Sequence, residues 1–170
     1  ELLPAGAQTP RIDSHPSPRY AMANLDYGMT IGTAVTRGGR LFACWVGGGD
    51  NEKAFFLLAY SDDGGKRWTE PCLVIDPHDD ALPLERCTIV GTLWVDPLGR
   101  LWLFFNQSLL HYDGRSTNWR IRCDDPDTLT LLWTKPQYVS DGCTLNKPLV
   151  LSNGEWMLPV SIWARHHIKP

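Results

Sequence analysis

The chain has 170 residues, of which 43% are hydrophobic, and a formal net charge of −3. This composition excludes an intrinsically disordered chain, and the weakly acidic charge argues against a nucleic-acid-binding protein. Eight Trp, together with 15 Gly and 13 Pro, favour many short strands separated by turns over long helices.

Three further properties of the sequence narrow the class of protein. No apolar run reaches the roughly 20 residues that a membrane helix needs, so we expect no membrane partner. Residues 1–4 lack a basic region and a long apolar core, so we expect a leader to be absent or removed. The five cysteines form no C-x-x-C pair. We therefore predict that the cysteines act as small buried hydrophobic residues, and we expect no metal site and no cofactor.

The chain begins with an irregular stretch and continues into repeated hairpins. Residues 1–26 contain several prolines and no periodicity, which predicts a lead-in or strap. A pattern of strand, turn and strand then occurs at 29–46, and it recurs at 88–105 and 148–160. In each case the turn glycine and the β-prone flanks agree with each other. The turn glycines are Gly39, Gly99 and Gly154.

The most informative stretch runs from Ser61 to Trp68 and reads S-x-D-x-G-x-x-W between two apolar runs. Two glycines can supply the positive φ values of a tight turn, and the Ser and Asp side chains can bond to turn amides. We therefore predict a hairpin loop that Trp68 covers. Residues 123–127 resemble a degenerate copy, and the motif W-T-x-P follows both loops.

These repeats predict an all-β fold, a β-propeller of four-stranded antiparallel blades with a period of about 55–65 residues. The predicted blades are 27–77 and 85–141, followed by a half blade at 145–170. Propellers close with about 4–8 blades. We therefore expect the remaining blades to come from the same longer chain, with completion by oligomerisation as the alternative.

The predicted topology also locates a functional face. The short turns after each first strand and the loops after each third strand lie on one face, which we expect to be structural. The opposite face receives the starts of the innermost strands and the ends of the second strands, around a central funnel. Its polar residues suit a polyhydroxylated or acidic ligand. They are Asp50, Glu52, Arg86, Asn106, Gln107, Asn146, Lys147, Arg165, His166 and His167.

For most of these residues a structural role stands beside the functional one. Asp50 follows three glycines and is either a general acid or a turn residue. Arg86 opens an apolar strand beside Glu85, and it either binds a ligand or forms an ion pair. Asn146 and Lys147 are expected to contact the ligand. For Arg165 a surface loop is the alternative, and Trp45 and Trp163 either stack on sugars or belong to the core.

The span from about residue 27 to 163 resembles the sialidase-like (BNR/Asp-box repeat) superfamily, and bacterial sialidase-like proteins most of all. The resemblance is carried by residues 39–48, 61–68, 96–104 and 146–159. It implies a six-bladed propeller that acts on glycans, in a secreted or periplasmic protein. An Asp-box is shared by non-catalytic propellers, so it indicates fold more than activity.

The resemblance also assigns roles to individual positions. Asp50 matches the family's acid/base Asp on the loop after the first blade's second strand, with Glu52 as a nearby substitute. The family's R-I-P arginine on the first strand is missing, because residues 29–32 read M-T-I-G. We therefore do not expect a standard sialidase, although Arg86 can take a related role by topology.

The leading hypothesis is a glycoside hydrolase of the sialidase-like superfamily that acts on an acidic or polyhydroxylated glycan. Asp50 and Arg86 are its predicted catalytic residues. Its predicted substrate-binding residues are Asn106, Gln107, Asn146, Lys147 and Arg165. The alternatives are a non-catalytic glycan-binding propeller and a polysaccharide lyase, for which His166 or His167 is a candidate base.

Overall fold

The computed structural model describes residues 8–111 and 114–163, which fold into short antiparallel strands without an α-helix. None of the helical segments within these ranges has the length and apolar character to cross a lipid bilayer. The first sheet contains β1 (Met29–Val35), β2 (Leu41–Gly47), β3 (Phe55–Ser61) and β4 (Leu73–Ile75), in the order β1-β2-β3-β4. The predicted all-β class, with four-stranded antiparallel sheets, is confirmed, and a six-bladed ring stays a prediction.

The second sheet repeats this arrangement with one interruption. It contains β5 (Arg86–Cys87), β6 (Gly91–Val95), β7 (Leu101–Leu109), β8 (Ser116–Cys123) and β9 (Gln137–Asp141). Both β5 and β6 pair with β7, so they are two parts of one innermost strand. The predicted continuous strand from Thr88 to Val95 was wrong at its first residues. The side-chain oxygen of Asn106 accepts the amides of Ile89 and Val90, both at 2.9 Å, in place of regular pairing there.

A short hairpin follows the second sheet. It consists of β10 (Leu149–Val150) and β11 (Trp156–Met157), which pair antiparallel. Cys143 and Ser161 extend the pairing with two backbone hydrogen bonds of 2.9 Å. The hairpin's large apolar side chains are exposed in the described part of the chain, including all four residues of β10 and β11.

The main core lies between the two large sheets. Buried residues of β2 and β3, such as Phe42 and Phe56, share one cluster with Leu103 and Phe105 of β7. A side chain at Gly91 would collide with the Phe56 ring and with backbone of β7, so only glycine permits this close packing.

The cysteines belong largely to this core. All five are free thiols, and all except the partly buried Cys72 are buried, as the sequence predicts. Burial raises the pKa of the Cys44 thiol to about 12. A thiol with such a pKa stays protonated at neutral pH and acts as a small apolar side chain.

The lead-in crosses the outer side of the first sheet as a strap. Asp13 exchanges two backbone hydrogen bonds of 2.8 Å with Val74, which adds one residue pair to the outer edge of β4. Two 3₁₀ turns follow, Pro18–Tyr20 and Met22–Asn24, and Tyr20 packs against Leu57 and Val74. The strap therefore covers part of an edge that would otherwise present unpaired backbone groups.

The turn motif at 61–68 forms the predicted hairpin loop. Ser61 Oγ accepts the Gly65 amide at 2.9 Å and donates to Asp63 at 2.9 Å. Gly64 and Gly65 have φ values of 73° and 86°. The indole N–H of Trp68 donates back to the Gly65 carbonyl at 3.1 Å. The polar groups of the loop therefore bond to one another, and they stabilise the turn.

Loops at the same end of the strands as the turn motif also join the two sheets. Asp127, in the degenerate copy of the motif, accepts the Gly38 amide at 3.0 Å and the Thr36 hydroxyl. The guanidinium of Arg40 donates to the carbonyls of Pro126 and Thr128 at 3.0 and 2.6 Å. The turns and loops at this end of the strands therefore hold neighbouring sheets together.

Candidate functional site

Asp50 lies on the loop between β2 and β3, at the end of the strands opposite the turn motif. Gly48 and Gly49 have φ values of 77° and 120°, and a side chain at Gly48 would collide with the Lys53 carbonyl. The glycines therefore permit a compact loop that presents the Asp50 side chain, which is 54% exposed. An exposed carboxyl on a rim loop can reach a bound ligand.

His111 contacts Asp50 from the second sheet. Its Nε2 lies 3.3 Å from Asp50 Oδ1, and its side chain is 12% exposed. The preceding residue, Leu110, is the single non-glycine residue with a positive φ (52°) in the described ranges. The Leu110 amide donates to the Glu85 carbonyl at 2.8 Å, which helps to hold this conformation. Backbone conformations of this kind concentrate at functional sites.

Sequence analysis missed His111. His111 follows the end of β7, just as Asp50 follows the end of β2. The expectation that the ends of second strands lie on the functional face therefore applies to the loop after Leu109 as well. Nothing in the local sequence marks His111, because its partner lies 61 residues away in the chain.

A second histidine fastens the Asp50 loop from the other side. His78 Nδ1 lies 2.5 Å from Asp76, and its Nε2 lies 3.0 Å from the Glu52 carbonyl oxygen. Both ring nitrogens face acceptors, and only the doubly protonated imidazolium can donate to both. Asp76 also accepts the Tyr20 hydroxyl at 2.5 Å. The loop is therefore tied to β4 and to the strap.

The pKa values of this cluster follow from its contacts. The hydrogen bond to Asp76 raises the pKa of His78, against the opposing effect of burial. Burial alone would raise the pKa of Asp76, but hydrogen bonds from His78 and Tyr20 outweigh it and lower that pKa. Burial and then the bond to Asp76 raise the pKa of Tyr20 to about 12.

We predict that the Asp50 loop loosens as the pH rises above neutrality. A raised His78 pKa stabilises the loop fully below the ordinary value of 6.5, and this contribution is lost as the pH rises through the folded-state value. Amide hydrogen exchange of residues 48–53, corrected for intrinsic rates, should be faster at pH 8.5 than at pH 6. His78→Phe should remove the difference, and His15→Phe, at an exposed site, should keep it. An unchanged exchange ratio in His78→Phe contradicts this role.

Arg86 and Gln107 meet at the strap. Arg86 is 8% exposed and donates from Nη1 to the side-chain oxygen of Gln8 at 3.2 Å. Its buried Nε has no hydrogen-bond partner within residues 8–111 and 114–163. Gln107, 1% exposed, donates from Nε2 to the backbone oxygen of Gln8 at 2.8 Å. Arg86 forms no ion pair with Glu85 or with another carboxylate of the described residues, so its predicted ion-pair alternative is wrong.

Asn106 is buried, and the fold uses its side chain. The oxygen accepts two amides of the broken strand, and Nδ2 donates to the hydroxyls of Ser108 and Ser116 at 2.6 and 3.3 Å. An amide side chain offers two acceptor and two donor positions, and these four bonds use all of them. The structure therefore gives Asn106 a structural role in place of the predicted contact with substrate.

Asn146 and Lys147 line a different cavity of about 640 Å³ beside the innermost strands. Ile31, Gly32 and Thr92 form its other walls, so the cavity lies where the two large sheets approach the region of the short hairpin. This position fits the predicted funnel. The predicted residues Arg165, His166 and His167 lie outside the described residues.

The predicted site residues thus form three groups. Asp50 contacts His111, Arg86 and Gln107 share Gln8, and Asn146 and Lys147 line the cavity of about 640 Å³. Trp45 lies in a separate apolar cleft of about 440 Å³ with Trp68 and Tyr27. Within the described ranges no cluster of His, Cys, Asp and Glu could hold a metal ion.

A comparison with protein families identifies the family of the chain. The family model for the BNR repeat-like domain matches residues 39–169, well over half of the chain. The matched range includes both large sheets from β2 onwards, the motif at 61–68 and the Asp50 loop. No curated protein matches the chain.

Proposed function

The chain belongs to the BNR repeat-like domain family of the sialidase-like superfamily, and from this premise we propose that it is a glycoside hydrolase. Asp50 acts as the general acid/base on an acidic or polyhydroxylated glycan. The missing first-strand arginine sets it apart from a standard sialidase.

The observation that carries this proposal is the contact between Asp50 and His111. Asp50 is an exposed carboxyl on a glycine-rich rim loop, and an almost buried histidine of the neighbouring sheet holds it at 3.3 Å. A general acid must be fixed in position and still reach the glycosidic oxygen. The tie from His78 to the Glu52 carbonyl supports the same position from the other side.

The reaction follows from the chemistry of these groups. The Asp50 carboxyl transfers its proton to the glycosidic oxygen while the bond from that oxygen to the sugar breaks. The resulting carboxylate then takes a proton from the water that completes hydrolysis. Lys147 in the funnel and Arg86 beside the strap are the cations proposed to bind an acidic group, and Asn146 is proposed to bind hydroxyls.

A panel of aryl glycosides tests the proposal. It contains α- and β-linked neutral sugars, uronic acids and sialic acid, assayed with the full-length protein by release of the aryl alcohol. We expect turnover of at least one acidic member. Binding of oligosaccharides without turnover of any member would instead indicate the non-catalytic glycan-binding alternative.

A lyase is the second candidate, and His111 favours it. An imidazole at the rim can remove the proton beside the carboxyl group of a uronic acid, while the glycosidic oxygen leaves from the neighbouring carbon. The product carries a new double bond that absorbs in the ultraviolet. Growth of that absorbance on a polyuronate, with one new double bond for every new reducing end, would identify a lyase in place of a hydrolase.

We propose that further strands of the same longer polypeptide cover the hairpin of β10 and β11. The exposed side chains of the pairs Leu149/Met157 and Val150/Trp156 leave apolar surface on both faces of this hairpin, which soluble proteins normally cover. The 170-residue chain alone should therefore self-associate at micromolar concentration in light scattering. Lys in place of Val150 and Met157 should reduce this association. A monodisperse monomer of the unmodified chain would contradict the proposal.

A further inference from the structure

We propose that Gln8 is an internal occupant of an anion-binding site formed by Arg86 and Gln107, and that an acidic group of the ligand displaces it. This inference rests on the proposed function for the identity of the ligand, an acidic sugar. The anion site and its occupant are argued from the contacts of Gln8 itself.

Two donors from the second sheet converge on one residue of the strap. Arg86 Nη1 donates to the side-chain oxygen of Gln8 at 3.2 Å, and Gln107 Nε2 donates to its backbone oxygen at 2.8 Å. Gln8 thus presents two oxygens to a guanidinium and an amide. A carboxylate presents two oxygens as well, and it adds the negative charge that an amide lacks.

The charge of Arg86 is the second observation. A guanidinium that is 8% exposed has been removed from water, yet among the described residues its hydrogen-bond partner is a neutral amide and its Nε has none. Buried charges are normally paired or fully hydrogen-bonded, because desolvation without a partner is costly. The buried charge of Arg86 therefore suits an anion, because Gln8 supplies a hydrogen-bond acceptor but no negative charge.

The strap can release Gln8 without unfolding the sheet. The firm attachments of the strap begin soon after Gln8: Pro10 is buried, Ile12 packs against the main core, and Asp13 pairs with β4. Gln8 itself is partly exposed. A movement of Gln8 itself is enough to open Arg86, while Pro10, Ile12 and the strap that follows them stay in place.

The consequence is competition within one molecule. A ligand that binds only when Gln8 has left has an apparent affinity reduced by the fraction of molecules in the open state. Removing the Gln8 side chain should raise that affinity, and strengthening its contact with Arg86 should lower it. A purely structural anchor predicts no such opposite effects on ligand binding.

Calorimetric titration with D-glucuronate tests this in the full-length protein, with uncharged D-glucose as the control ligand. Gln8→Ala should bind glucuronate about tenfold more tightly than the unmodified protein, as expected if the open fraction is about one tenth. Gln8→Glu should bind it at least tenfold more weakly, because its carboxylate pairs with Arg86. Gln137→Ala is the matched control, because Gln137 accepts the Arg120 guanidinium at 3.2 Å on an exposed surface.

Equal affinity in all variants, no detectable glucuronate binding in any of them, or equally tight binding of glucose overturns the inference. Thermal unfolding confirms folding of both Gln8 variants, and we expect Gln8→Glu to be the more stable. Turnover does not enter this measurement. The predicted order of glucuronate affinities, with no turnover in the glycoside panel, would therefore refute the hydrolase and retain the anion site. Turnover in the panel with equal glucuronate affinities would retain the hydrolase and refute the anion site.

Discussion

Replacing Asp50 by asparagine should lower kcat for an oligosaccharide substrate by about 10²–10⁴-fold, the usual contribution of a general acid. The amide cannot deliver a proton to the leaving oxygen, but it preserves the size of the side chain and can still contact His111. KM should change little, because the lost interaction belongs to the transition state. Steady-state kinetics with an oligosaccharide that carries the sugar identified by the glycoside panel, and therefore an alkoxide leaving group, provide the measurement.

Two matched variants make this result specific. Glu52→Gln changes a carboxyl on the same loop and should keep kcat within a few-fold of the unmodified protein. The backbone carbonyl of residue 52 remains available to His78 in this variant. His111→Gln should lower kcat by roughly tenfold, since it loosens Asp50 without removing the acid. Full activity in Asp50→Asn, or a larger loss in Glu52→Gln, would move the acid away from Asp50.

The largest effect on stability is expected at Asn106. In Asn106→Ala the buried amides of Ile89 and Val90 lose their acceptor, and the hydroxyls of Ser108 and Ser116 lose a donor. Each buried polar group left unpaired costs about 1–3 kcal/mol. The free energy of unfolding should therefore fall by about 3 kcal/mol or more, measured by urea denaturation.

Asn153→Ala is the matched control for Asn106. Its side chain also accepts a backbone amide, that of Glu155 at 3.1 Å, but it lies in an exposed turn where water can replace it. The loss there should stay below about 1 kcal/mol. Similar losses in the two variants would show that the interrupted strand does not depend on Asn106.

Local signals were enough to predict the repeated hairpins. Gly39, Gly99 and Gly154 have φ values of 89°, 88° and 84°, as turns of this kind require. Each turn lies between short β-prone runs, and a turn can be recognised from a few neighbouring residues. The fold class follows, because the period of the hairpins is itself visible in the sequence.

The site was less predictable, because its contacts join residues far apart in the chain. Gln8 and Arg86 are separated by 78 positions, and Asp50 and His111 by 61. Asn106 illustrates a different difficulty. A polar residue at the end of a buried strand has the same local sequence whether it faces a ligand or repairs an interrupted neighbouring strand, and only the pairing of β5 and β6 with β7 distinguishes the two.

The dependence of hydrolysis on the leaving group tests Asp50 as the general acid most directly. In a series of glycosides of one acidic sugar, a weakly basic leaving group such as 4-nitrophenolate needs little protonation, whereas an alkoxide needs it fully. We predict that Asp50→Asn is close to the unmodified protein with 4-nitrophenyl glycosides and loses progressively more activity as the leaving group becomes more basic. The same fractional loss with every leaving group would contradict the role of Asp50 as the proton donor.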